Sequence, residues 1–84
     1  MGGGKVRMEH RVFKVVSQVM GIPVEKINED SSFDNIAEWD SLNHMNLVLA
    51  LEEEFGVQFS DEQIVNLLSV GVIIKTLKDL FKKS

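Results

Sequence analysis

The sequence of 84 residues contains no cysteine and only two histidines, His10 and His44. Without cysteine it has neither a disulfide framework nor a thiolate metal site, and two histidines are too few for a structural zinc site. The absence of cysteine also agrees with a reducing compartment, so we expect a cytoplasmic protein that binds no metal.

Long apolar runs are also lacking. The longest, Leu47 to Leu51, is far shorter than the roughly 20 residues that span a membrane. Residues 1–5 have no apolar segment and therefore do not form a signal peptide. We expect residues 1–5 to be a flexible tail and residues 6–84 to form a single domain.

Negative charge is concentrated in the middle of the sequence. The formal net charge is −4, but the segment from Glu25 to Glu62 holds eleven acids and one base. Such a segment repels nucleic-acid phosphates and attracts basic protein surfaces. The simpler alternative is that these acids form a solvated surface without a specific partner.

The spacing of apolar residues predicts a first helix over residues 8–20. Gly21 is expected to end it, because glycine tolerates the left-handed backbone of a helix terminus. A second helix is predicted to begin with a cap at Asp40 or Ser41 and to run to about Phe55, where the next residue is again a glycine.

Two more helices follow. Ser60–Gln63 has the pattern of a capping box and opens a short third helix, with Ile64, Leu67 and Leu68 expected to point inward. Ser69 is expected to cap the last helix. Its predicted apolar stripe comprises Val70, Ile73, Ile74, Leu77, Leu80 and Phe81. The sequence therefore predicts an all-α fold, a small bundle of three longer helices and one short one with a long first loop.

That loop, residues 21–40, contains scattered apolar residues that we expect to anchor it to the bundle: Ile22, Val24, Ile27, Phe33 and Ile36. Trp39 is interpreted as a further anchor, with contact to a bound group or a partner as the alternative. Residues 30–35 superficially suggest a calcium loop. Asn35 replaces the required glycine, and Ser41 stands where the bidentate glutamate belongs, so calcium is excluded.

The second helix carries two opposed apolar stripes. The first comprises Leu47, Val48, Leu51 and Phe55 and is expected to face the core. The second lies about 160–220° around the helix from Leu47 and comprises Leu42, Met45 and Leu49. Because Glu52 and Glu53 flank the second stripe, we predict that these five residues dock a basic, partly apolar partner. Coverage of the stripe by a neighbouring loop is the alternative.

Ser41 stands at the start of this helix. A serine there is ordinarily only a cap, but the free N–H groups and positive end of a helix also stabilise an attached phosphate. Asp40-Ser41-Leu42, followed by the acidic segment Leu47–Phe55, resembles the acyl carrier proteins. The resemblance covers about residues 6–82 and includes the Gly21-Ile22 helix end, Phe33 and the Ser60-Asp61-Glu62 helix start.

The resemblance implies a role for each matched residue. Ser41 would accept 4′-phosphopantetheine from coenzyme A, within a motif of Asp40 and Leu42 that a phosphopantetheinyl transferase reads. Glu52 and Glu53 would contact Arg and Lys of partners, beside the apolar docking residues Leu42, Met45 and Leu49. The core residues Leu47, Val48, Leu51 and Phe55 would shelter an acyl chain.

The implied function is a monomeric carrier of acyl thioesters, and not an enzyme. It would serve acyl-ligases, ketosynthases or acyltransferases of fatty-acid, specialised lipid or polyketide synthesis, each with a basic docking patch. Three departures from housekeeping members favour a specialised member: Glu38-Trp39 before the motif, Asn43 and Asn46. The Gly-Gly-x-Ser pattern of peptidyl carriers is absent, which disfavours an aminoacyl or peptidyl carrier.

The sequence also bears on three other classes of function. An unmodified acidic interaction domain would share the scaffold without the arm. A serine hydrolase using Ser41 and His44 is disfavoured, because no nucleophile elbow or oxyanion loop accompanies them. DNA binding is disfavoured because the candidate recognition helix carries Glu52, Glu53 and Glu54.

Overall fold

The computed structural model describes residues 4–83, with side chains from residue 8 to residue 82. It confirms the all-α prediction of three longer helices and one short one. The helices are α1 (Gly4–Met20), α2 (Ser41–Phe55), α3 (Asp61–Asn66) and α4 (Val70–Lys83), with a 3₁₀ turn at Val24–Lys26. The tail predicted for residues 1–5 lies partly outside the described residues, and its last two residues begin α1.

The helix ends follow the predicted chemistry. Gly21 ends α1 with φ of 73° and Gly56 ends α2 with φ of 65°, a left-handed backbone that costs glycine little. The Ser60 hydroxyl accepts the Gln63 N–H while the Gln63 side chain accepts the Ser60 N–H, so the capping box of α3 is confirmed. The Ser69 hydroxyl accepts the Val72 N–H at 3.2 Å, which confirms the cap of α4.

A single hydrophobic core joins the helices and the long first loop. α1 packs against both α2 and α4. The buried side chains include Val12, Val15, Val16, Leu47, Val48, Leu51, Phe55, Leu67, Val70, Ile73, Ile74 and Leu77. Within residues 4–83 no helix combines the length and the apolar character that crossing a membrane requires.

Backbone hydrogen bonds tie the first loop to the junction between α3 and α4. The Phe33 N–H donates to the Leu68 carbonyl at 2.9 Å, and the Val70 N–H donates to the Ser31 carbonyl at 2.9 Å. Of the predicted loop anchors, Ile27 and Ile36 are buried, whereas Ile22 and Val24 are half-buried. The loop is therefore packed against the bundle, as predicted.

Three inward orientations were predicted wrongly. Phe33 and Leu68 are exposed, because the backbone pairing between them lies at the surface and leaves both side chains outside the core. Phe81 is exposed near the end of α4, beyond the buried part of the stripe, and its ring lies beside that of Phe55 with the centroids 6.3 Å apart.

Candidate functional site

Ser41 is the first residue of α2 and is exposed. The cap before it is Asp40, whose Oδ1 accepts the Asn43 N–H at 2.9 Å. Of the two capping residues that the sequence allowed, the structure selects Asp40. The Asn43 side chain in turn donates to the Glu38 carbonyl at 2.9 Å, which fixes the chain entering the helix.

The position of Ser41 combines access with favourable electrostatics. An exposed hydroxyl at the beginning of a helix can be reached by a modifying enzyme. The aligned peptide dipoles of α2 place partial positive charge at this end, which stabilises a phosphodiester joined to the hydroxyl. Ser41 therefore suits the attachment of a phosphate-linked group.

Two hydrogen bonds on His44 connect three parts of the fold beside Ser41. The Trp39 Nε1–H donates to His44 Nδ1 at 3.1 Å, and His44 Nε2 lies 2.8 Å from the Ile64 carbonyl. Because Nδ1 accepts, the ring proton belongs on Nε2, which donates to Ile64. Trp39 is only 1% exposed, so its predicted role as a loop anchor is confirmed. We call these two hydrogen bonds the His44 latch.

The His44 latch also argues against a serine hydrolase that uses Ser41 and His44. A serine hydrolase needs a histidine nitrogen free to accept the proton of the nucleophile. Both ring nitrogens of His44 are engaged, by Trp39 and by Ile64, so neither is directed at Ser41. The arrangement does not form a catalytic pair.

A surface depression of about 360 Å³ lies directly beside Ser41. Its lining comprises Ser41, His44 and Met45 of α2, Ile64 and Val65 of α3, and Phe33 and Leu68 from the paired segments. We call it the Ser41 depression. The lining is mostly apolar, so a flexible apolar group attached at Ser41 has a surface against which to lie.

The sequence did not reveal the Ser41 depression. Phe33 and Leu68 were predicted to point inward, and Val65 fell outside the apolar stripe of α3. Val65 could have indicated this surface from the sequence. It is a large apolar residue on the polar side of a short helix, where it does not face the core.

The second apolar stripe of α2 lies at the surface. Leu42 is 72% exposed, Leu49 is 60% exposed and Met45 is 46% exposed. The alternative that a neighbouring loop covers the stripe is therefore wrong. An open hollow of about 620 Å³ follows the same side of the helix and is lined by Asn46, Leu49, Ala50, Glu52 and Glu53.

The acids beside this stripe have different environments. Glu52 is half-buried, and its Oε2 accepts the Phe59 N–H at 2.9 Å. Glu54 pairs with Arg11, whose Nε lies 2.9 Å from Glu54 Oε2. Glu53, between them, is exposed. Glu52 and Glu53 were both predicted to contact a partner. Glu53 is exposed to solvent, whereas Glu52 holds the segment after α2 through its hydrogen bond to Phe59.

The four residues predicted to shelter an acyl chain lie together in the core. Leu47 and Leu51 are completely buried, and Val48 and Phe55 are nearly so. None of the four lines the Ser41 depression. The sequence therefore predicted their burial correctly, while the apolar surface next to Ser41 is made by other residues.

Comparisons with known proteins agree with this geometry. The family described as "Phosphopantetheine attachment site" matches residues 10–77. "Acyl carrier protein" of Sinorhizobium fredii (strain NBRC 101917 / NGR234) is 40% identical over 68 residues, which cover 81% of this chain and 87% of that protein. "Acyl carrier protein AcpP" of Rhizobium meliloti (strain 1021) has the same identity and coverage.

Proposed function

This chain belongs to the acyl carrier protein family, and we propose that Ser41 is the residue on which it holds its 4′-phosphopantetheine arm. When attached, the arm supplies a thiol that carries acyl groups as thioesters. The observation that supports this proposal most directly is the exposed hydroxyl of Ser41 at the start of α2, capped by Asp40.

The residues around Ser41 have separate tasks in this proposal. Asp40 fixes the first turn of α2, so the hydroxyl is presented in one orientation. The positive end of α2 stabilises the phosphodiester after attachment. Asp40 and Leu42, on either side of Ser41, are proposed as the motif that a phosphopantetheinyl transferase reads.

We further propose that the chain is not itself a catalyst. Acyl carrier proteins are carriers, and bond-making chemistry belongs to the prosthetic group and the partner enzymes. The engaged nitrogens of His44 support this proposal, because neither is free to act as a general base for Ser41.

The exposed stripe of α2 is proposed as the docking surface for partner enzymes, namely the transferase and acyl-ligases, ketosynthases or acyltransferases. Leu42, Met45 and Leu49 would provide apolar contact, and Glu53 would attract a basic patch. Electrostatic attraction raises the encounter rate without requiring tight binding, which suits a carrier that must leave each enzyme again.

We propose that the acyl groups belong to fatty-acid synthesis or to a specialised lipid or polyketide pathway in the cytoplasm. Asn43 and Asn46 support a specialised pathway, because housekeeping carriers tend to have acidic residues at these positions of the helix. The absence of cysteine supports a reducing compartment.

Intact mass tests the attachment residue. The apo-protein is incubated with coenzyme A, magnesium and a broad-specificity phosphopantetheinyl transferase. We expect the mass to rise by one phosphopantetheinyl group in the wild type and in Ser60→Ala, a matched control at another exposed helix start. Ser41→Ala should not gain mass.

Two results would contradict the proposal. A gain that persists in Ser41→Ala would move the attachment elsewhere. A wild-type chain that never gains mass would favour the unmodified interaction domain.

A further inference from the structure

Ser41 lies in a short segment whose two ends are joined by the His44 latch. Trp39 stands two residues before Ser41, and His44 stands three residues after it. The Trp39 Nε1–H donates to His44 Nδ1 at 3.1 Å, and the indole stacks on the imidazole with ring centroids 6.4 Å apart. The two side chains therefore form a brace across the start of α2.

The other hydrogen bonds of this segment are local. The side chain and the carbonyl of Asp40 accept the N–H groups of Asn43 and His44. The Asn43 side chain donates to the Glu38 carbonyl. These bonds join residues within 38–44, so they fix the shape of the turn but not its place in the molecule.

The His44 latch connects this turn to the rest of the fold. No side chain between Trp39 and His44 is buried, whereas Trp39 itself is part of the core. His44 Nε2–H donates to the Ile64 carbonyl of α3, 20 residues further along the chain. Because helix ends open readily unless they are tied down, the first turn of α2 depends on this connection to the core and to α3.

On the basis of the proposed attachment at Ser41, we propose that His44 is a positioning residue for the transfer of the phosphopantetheinyl group. Through Trp39 and Ile64 it holds the first turn of α2, and with it the Ser41 hydroxyl, in the orientation that the transferase accepts. Both ring nitrogens are engaged elsewhere, so His44 does not act on the reacting atoms.

The transfer itself shows why the placement of Ser41 matters. The Ser41 oxygen attacks the phosphorus of coenzyme A that bears the pantetheine, and a new O–P bond forms. The pyrophosphate bond breaks, adenosine bisphosphate leaves, and the hydroxyl proton passes to a base of the transferase. An enzyme that accepts only the correctly placed hydroxyl binds the carrier with an apparent affinity reduced by the fraction of molecules in that conformation.

Loading kinetics at saturating coenzyme A and varied apo-protein test this proposal. In His44→Ala we expect the KM for the carrier to rise roughly fivefold while kcat stays within about twofold, because the bound complex still holds the competent conformation. His44→Gln keeps an acceptor for Trp39 and a donor for Ile64 and should restore most of the wild-type KM. His10→Ala, at the exposed histidine of α1, is the matched control and should behave as the wild type.

Amide hydrogen exchange of the apo-protein gives a second readout that needs no transferase. His44→Ala should speed exchange at Asn43 and at residue 44 but not at Leu51, since only the first turn of α2 opens. A general loss of stability would speed all three. In the wild type, the His44 N–H should exchange more slowly than the Ile64 N–H, which donates to the carbonyl of its own cap, Ser60, in the same way.

Four results would overturn the proposal. The first two are an unchanged KM in His44→Ala and a fall in kcat without a rise in KM. The third is a His44→Gln variant that is no better than His44→Ala. The fourth is a wild-type His44 N–H that exchanges as fast as the Ile64 N–H, and this comparison does not depend on the folding of any variant. None of them requires the wild type to fail in loading, so they are distinct from a failed mass gain, which concerns the attachment at Ser41.

Discussion

The three consecutive glutamates near the end of α2, Glu52–Glu54, have the same charge but make different interactions. Glu52 accepts a backbone N–H from the segment after the helix, and Glu54 pairs with Arg11 of α1. Arg11 also lies over the Phe55 ring at 4.5 Å, so Glu54 belongs to a junction between α1 and α2. Glu53 is exposed and is available to a partner.

We predict that Glu53→Lys slows the transferase reaction by roughly tenfold at low salt, because it reverses a charge that steers the encounter. Its free energy of unfolding should change by less than about 0.5 kcal/mol, as is usual for exposed positions. The check is kcat/KM at low and high salt, together with urea unfolding. Equal losses of rate and stability would argue against a recognition role.

Glu52→Ala should behave in the opposite way. It removes the acceptor of the Phe59 N–H and should lower the free energy of unfolding by about 1–2 kcal/mol. Glu52→Gln retains an acceptor oxygen and serves as the matched control, which should stay close to the wild type in urea unfolding. If Glu52→Gln is as unstable as Glu52→Ala, the charge and not the hydrogen bond is responsible.

At the scale of elements, the start of α2 depends on one carboxylate. Asp40 has an extended backbone, and its side-chain Oδ1 accepts the N–H of Asn43 in the first turn. The Asp40 carbonyl meanwhile accepts the His44 N–H at 2.8 Å, the first hydrogen bond of the helix. The orientation of Ser41 thus follows from the residue before it.

Asp40→Ala should cost about 1 kcal/mol, the usual effect of losing such a cap. In a domain of this size that corresponds to a fall in Tm of about 4–8 °C. Asp40→Asn keeps a side-chain oxygen acceptor and should retain most of the stability. Thermal unfolding followed by circular dichroism measures both variants, and equal falls in Tm would show that the cap is not the cause.

The elements were predictable from sequence because their signals are local. Gly56, the Ser60–Gln63 capping box and the helical spacing of Leu47 and Leu51 lie within a few residues of what they determine. The exposure of Phe33 was not predictable, because it depends on a backbone bond to Leu68, far along the chain. The His44 latch was missed for the same reason, since its acceptor belongs to another helix.

At the scale of the whole molecule, charge is unevenly distributed between elements. The basic residues lie mainly on α1 and α4, which pack together, while eleven of the thirteen acids lie on the first loop, α2 and the start of α3. Eleven acids with one base in the segment from Glu25 to Glu62 repel one another. This repulsion opposes the compact state, and the same negative charge would attract the basic partners proposed above.

We predict that sodium chloride raises the Tm of the apo-protein while slowing its reaction with the transferase. At about 0.01 M salt the screening length is roughly 30 Å, comparable with the molecular extents of 33 × 31 × 19 Å. At about 1 M salt it is roughly 3 Å, so both repulsion and steering are reduced. Thermal unfolding and initial rates across a salt series test this, and a Tm that falls with salt would contradict it.

The position of Trp39 has a practical consequence. It is the single tryptophan of a chain without tyrosine, it is buried, and it lies two residues before Ser41 with its indole N–H on His44. Its ultraviolet emission therefore comes from one chromophore beside Ser41, the proposed attachment residue. Changes in that emission would report arrival, exchange and departure of cargo in real time, without a dye or a label.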